Sequence, residues 1–134
     1  MMKEQEIKDI LIHNGYSYCP HSTIYATIKP SVSAYQIGLK ESLFANKEHI
    51  LYFNSKGIVV MPINEMSGKI EENQISLLSE KIIQQKEIRI KPLSFQLIIH
   101  TDQGDIEYKI RKSAIGAKWH KENLSFLLLS AHAK

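Results

Sequence analysis

Arginine is scarce in this chain. Only Arg89 and Arg111 are found among 17 cationic residues, and arginine is the side chain that grips phosphate and guanine edges with a two-pronged fork. The net charge of +3 is spread evenly: residues 1–70 carry 7 basic and 6 acidic groups, residues 71–134 carry 10 and 8. No charged tail or basic block results, and both features argue against a nucleic-acid partner. Cysteine is scarcer still. With Cys19 alone, no disulfide can form within the chain, and the CPH stretch, Cys19 to His21, lacks the paired ligands of a closed zinc site. The six glycines are dispersed; none opens a phosphate loop or a dinucleotide fingerprint. Around Cys19 there is neither a nucleophile elbow nor a recognisable catalytic signature. No catalytic residue, metal ligand or cofactor is assigned.

Long apolar runs are also missing. The greasiest stretch, LSFLLLSA, is far shorter than the roughly 20 residues that span a bilayer, and MMKEQEIKDI is charged from its third residue, unlike a signal peptide. A cytoplasmic protein is expected. What remains is an ordinary globular composition, 43% hydrophobic and 23% charged over 134 residues, sized for one domain.

Periodicity supplies the elements. Ile7, Ile10 and Leu11 recur at helical spacing within residues 3–14, and Gly15 is placed to end that helix. Ile24, Ala26 and Ile28 alternate as in a strand. Residues 31–46 read as helix or loop, since Gly38 interrupts the spacing of Val32, Tyr35, Leu39 and Leu43. HILYF and IVVMPI predict a hairpin with a four-residue loop, Asn54 to Gly57, NEMSGKIEEN a surface connection, QISLLS a single helical turn, and Ile82 to Ile90 a strand with one charged face. Leu124, Leu127, Leu128 and Ala131 form a helical stripe widened by Phe126 and Leu129. Trp119 anchors its entry and Glu122 falls in the first turn, where the helix dipole favours an anion. This helix should cap the sheet; a partner-binding or dimer helix is the rival.

The stretch FQLIIHTDQGDIEYKI places His100, Asp102, Asp105 and Glu107 within eight positions, a set that could bind a metal. Register decides against a site. A turn at Gln103–Gly104, or a loop from Asp102 to Asp105, pairs Thr101 with Ile106, Ile99 with Tyr108 and Leu97 with Ile110 on one face. His100 then faces Glu107, Ile98 faces Lys109 and Gln96 faces Arg111 on the other. The cluster is the polar tip of a hairpin, with His100 and Glu107 as a cross-strand pair.

The run IIQQKEIRIKPLSFQLIIHTDQGDIEYKI, followed by WHKENLSFLL, resembles bacterial pleckstrin-homology-like domains over roughly Glu48 to Ser130. The resemblance implies an α+β fold: a bent antiparallel sheet or half-barrel of PH-like type, a C-terminal helix capping it, and a short N-terminal helix. Residues 1–47 are then an elaboration outside the pattern. It also implies a non-catalytic module that binds a protein or peptide. Eukaryotic relatives that hold phosphoinositides cluster Lys and Arg in the first hairpin, whereas here no Arg precedes Arg89, so head-group binding is not carried over. The alternative is an anion or membrane-surface binder using Lys86, Arg89, Lys91, Lys109, Arg111 and Lys112 on exposed strand faces. Anionic lipid and a second copy of the chain thus stay open as partners beside protein or peptide. The strand Ile82 to Ile90 is the first candidate for a binding edge, with charges that deter unwanted pairing yet permit a chosen partner.

Overall fold

The computed structural model describes residues 3–29, 47–114 and 117–132, with side chains to Leu129. The expected helix or loop at 31–46 and the contribution of Ala131 lie outside the described residues. Helix α1 spans Glu4–His13, and strands follow at Thr23–Lys29 (β1), Glu48–Asn54 (β2), Gly57–Pro62 (β3), Ser76–Ser79 (β4), Ile83–Ile90 (β5), Ser94–Thr101 (β6) and Gly104–Arg111 (β7). Helix α2, Lys118–His132, comes last. Among the described residues the fold is α+β: one antiparallel sheet of seven strands in the order β4-β3-β2-β1-β7-β6-β5, with α1 before it and α2 after it in sequence. No helix among the described residues is long and apolar enough to cross a membrane.

The sheet is strongly curled. Strands β2 and β5 are four spacings apart, about 19 Å in a flat sheet, yet the Lys86 ammonium on β5 lies 5.8 Å from the ring centre of Phe53 on β2. The inner face so enclosed gathers Ile24, Ala26, Ile28, Leu51, Ile58, Val60, Leu78, Leu97, Ile99, Ile106, Tyr108 and Ile110 into one buried cluster.

The outer face is covered on one half only. Over β2 and β3, Ile50, Tyr52, Val59 and Met61 pack with Ile7 and Leu11 of α1. Burial on both faces is why HILYF and IVVM are continuous apolar runs rather than alternating ones. Over β6 and β7 the outer positions are Gln96, Ile98, His100, Asp105, Glu107, Lys109 and Arg111, and the sequence alternates there as a half-solvated sheet must.

Helix α1 ends as expected. Gly15 takes φ +87°, a conformation that favours glycine, and the Tyr16 amide returns to the Leu11 carbonyl at 2.9 Å. Helix α2 starts on the outer side, where Trp119 packs against Tyr25 with ring centres 4.9 Å apart. It then delivers Leu124, Leu127 and Leu128 to the inner cluster, so it passes over the end of the sheet where β1 begins. Two details of the expected stripe are corrected. Phe126 and Leu129 are exposed, at 51% and 69%, because they point away from the face that carries Leu124. Glu122 lies past the first turn, which begins at Lys118 and holds no acidic residue.

Two further expectations are overturned. QISLLS is not a helical turn: Ser76–Ser79 pairs with β3 as an edge strand, Leu78 opposite Ile58, because burying Leu78 in the inner cluster needs the extended form. The β6–β7 hairpin turns at Asp102 and Gln103, so Thr101 faces Gly104, Ile99 faces Ile106, Leu97 faces Tyr108 and Phe95 faces Ile110. Each partner is displaced by two residues from the expected register, and an even slip leaves the faces unchanged. The β2–β3 hairpin is built alike, with a two-residue turn at Ser55–Lys56 and Asn54 opposite Gly57. In both, a side-chain oxygen at the turn's start accepts the amide two residues on, Asn54 from Lys56 at 2.8 Å and Thr101 from Gln103 at 3.2 Å. In both, a glycine with φ near +130° opens the return strand, Gly57 and Gly104.

Candidate functional site

Strand β5 ends the sheet. It pairs with β6 from Ile83 to Ile90, through a bulge between Ile83 and Gln85, and no described strand meets its other side. Residues facing one another across an antiparallel pair share a face, so the pairing sorts β5 side chains. Lys86, Ile88 and Ile90, opposite Ile99, Leu97 and Phe95, point inward; Gln85, Glu87 and Arg89, opposite His100, Ile98 and Gln96, point outward.

On the outer side lies a polar network. Arg89 donates its Nε–H to Glu87, whose other oxygen is 3.1 Å from His100 Nε2, and His100 Nδ1 is 2.8 Å from Asp105. An imidazole with a carboxylate at each nitrogen can satisfy both only when doubly protonated. Glu87 first, then Asp105, therefore raise the His100 pKa, while the hydrogen bonds from Arg89 and His100 lower that of Glu87. The expected His100–Glu107 pair is not formed. The two-residue turn brings Asp105 opposite His100, and Glu107 instead receives Gln96 at 3.1 Å and Lys29 at 3.4 Å. Among the described residues, no three His, Cys, Asp or Glu side chains are grouped to hold a metal.

The six expected binding cations divide five to one. Lys86 points inward over Phe53. The other five gather at the end of β5, β6 and β7: Arg89 and Lys109 flank Gln96 in one outer row, Arg111 faces Ser94, Lys91 begins the β5–β6 turn and Lys112 follows β7. That turn is fastened by the Lys91 amide to the Ser94 carbonyl at 2.9 Å and by Lys112 Nζ to the Pro92 carbonyl at 3.0 Å. Leu93 at its tip is 88% exposed and Ile90 65%.

Three buried polar residues carried no role in the sequence reading. The His120 imidazole accepts the Tyr25 amide on Nδ1 at 3.0 Å and donates from Nε2 to the Arg111 carbonyl at 2.7 Å. Burial lowers its pKa, and the Arg111 bond offsets this in part. Beside it β1 and β7 part to leave a cleft of about 300 Å³ lined by Tyr25, Thr27, Glu48, Lys109, Arg111 and Ser113 among others. Asn123 donates to the Thr23 carbonyl at 2.9 Å and to Glu4 at 3.2 Å, and its oxygen lies 3.2 Å from His21 Nδ1. It ties α2 to α1 and β1. His49 meets Tyr108 Oη at 2.8 Å inside the inner core, and burial raises the Tyr108 pKa. Signals existed for all three. Continuing the stripe of Leu124, Leu127 and Leu128 back by four residues lands on His120 and Asn123, and strand alternation puts His49 on the face of Leu51.

No protein-family model and no curated protein sequence matches the chain.

Proposed function

We propose that the chain is a non-catalytic interaction module of the pleckstrin-homology-like kind, which adds an extended protein or peptide segment to the free edge of β5. One observation carries this reading: β5 is an eight-residue strand with β6 on one side and no described strand on the other, so its outward backbone amides and carbonyls can serve as a template for a further strand. The resemblance to the bacterial domains is supported by the curled antiparallel sheet and by the last helix packed at its end. The non-catalytic reading is supported by His120, whose two nitrogens are both taken by backbone groups.

The edge is guarded. A bulge at its start and the inward Lys86 both disfavour indiscriminate pairing, which suits a chosen partner better than an open template. Peptides selected from a random extended library, titrated into isotope-labelled protein, test the reading. Backbone shifts concentrated in Gln85 to Lys91 are expected; binders that map to α1 or to the cleft beside His120 would overturn it.

A second reading has its own observation. Five cations surround a fastened turn whose tip exposes Leu93 at 88%, the composition of a surface that meets anionic lipid. Sedimentation with anionic vesicles, lost at high salt and in Leu93→Ser, is its expected result; no binding even at low salt would dismiss it.

A further inference from the structure

The segment from Gln85 to Lys91 is symmetric in a way that specifies its own partner. When two copies of one strand pair antiparallel about a twofold axis, residues i and j face one another with a constant sum, and that sum must be even if both copies keep the same face inward. Centring the pair on Lys86, Glu87 or Arg89 sets a like charge against itself. Centring it on Ile88 does not. Glu87 of each copy then faces Arg89 of the other, twice, on the outer face, and Ile88 meets Ile88 on the inner face. Inner Lys86 falls opposite Ile90, which is 65% exposed, and its aliphatic stem can cover that side chain while the ammonium stays over Phe53.

The boundaries obey the same symmetry. In this register Gln84 would face Pro92, and these are the positions where pairing stops: the bulge lies between Ile83 and Gln85, and proline offers no amide to a ladder. The ladder is therefore seven residues long, Gln85 to Lys91, and closes on itself.

We infer that the strand added to β5 is β5 of a second copy, paired antiparallel in the register centred on Ile88. This rests on the edge reading above and names its partner. The dimer joins two seven-stranded sheets edge to edge, and in forming it the two Glu87–Arg89 contacts within strands, one per copy, are exchanged for two between strands. Association through one short ladder is weak and depends on concentration.

Charge inversion tests the register. Glu87→Arg alone sets Arg against Arg at both cross-strand positions, and Arg89→Glu alone sets Glu against Glu, so each variant should self-associate about tenfold more weakly than the parent or worse. Mixed in equal amounts, the two variants face opposite charges at both positions, and sedimentation should show heterodimer at the strength of the parent; this recovery also shows that both variants are folded. Recovery absent from a mixture of two variants with native circular dichroism would overturn the register. A parent chain that stays monomeric to millimolar concentration would overturn self-pairing while leaving the edge open to other partners. Uniform protection of the β5 amides in dilute monomer would overturn self-pairing and the edge reading together.

Discussion

Tyr25 and Arg111 stand where the next hydrogen-bonded rung of the β1–β7 ladder would fall, two residues beyond the pair Thr27 and Lys109, but His120 lies between them. The imidazole accepts from one strand and donates to the other, so the sheet stays bonded where its strands part and α2 is pinned at that point. Replacing His120 with Ala leaves a part-buried amide and carbonyl without this bridge, at a cost of about 1–3 kcal/mol. Urea unfolding near neutral pH measures it.

Protonation should unmake the same bridge, since a charged imidazole cannot accept the Tyr25 amide. The folded-state pKa of His120 lies below its ordinary value, so its contribution is present above about pH 6.5 and lost as pH falls through the folded-state pKa. His100 has the opposite sign. Its folded-state pKa is raised, so its contribution is full below the ordinary value and lost as pH rises through the folded-state pKa. Unfolding midpoints of His120→Ala should lose part of the decline below about pH 6.5, and those of His100→Ala part of the decline above it. Identical pH profiles for both variants and the parent would contradict these assignments.

Gly57 should tolerate no side chain. Its φ is +134°, and a Cβ there would press on the Leu78 carbonyl oxygen and reach the Glu80 amide at 2.7 Å, both rigid backbone. Gly57→Ala is expected to cost about 3 kcal/mol or more. Gly68, with φ +72° and nothing near its missing Cβ, should cost only about 1–2 kcal/mol on the same change. Thermal unfolding of the two variants side by side checks the contrast.

Helix α2 offers a second contrast. Leu124 is 4% exposed in the inner cluster, and Leu124→Ala should cost about 2–5 kcal/mol. Leu129, on the opposite side of the helix, should change stability by about 0.5 kcal/mol or less when truncated. If truncating Leu129 were the more damaging change in chemical denaturation, the helix would be oriented wrongly here.

What the sequence made legible follows its physical signals. Asn54–Gly57 and Asp102–Gly104 announced both hairpins, because a turn needs those residue types locally. The extents of the turns did not show, since Gly57 and Gly104 each open a return strand rather than closing a loop, and in the second hairpin partners slipped by two while faces stayed correct. Strand β4 was missed because a four-residue edge holding one buried side chain, Leu78, leaves no periodicity to read. The edge position of β5 depends on which strands β1 and β7 meet, which is set by long-range pairing that no local pattern records. His120 acts through tertiary insertion, and its one trace was a polar residue on an apolar stripe.

Hydrogen exchange along β5 in dilute, monomeric protein tests the edge most directly. In an antiparallel edge strand, amides that face the neighbour alternate with amides that face solvent. Between Gln85 and Ile90, slow exchange at residues bonded to β6 should therefore alternate with fast exchange at the residues between them, and the fast set should slow when a partner strand is added. Uniform slow exchange across these residues, unchanged by any partner, would show that β5 is already paired on both sides and is not the binding edge.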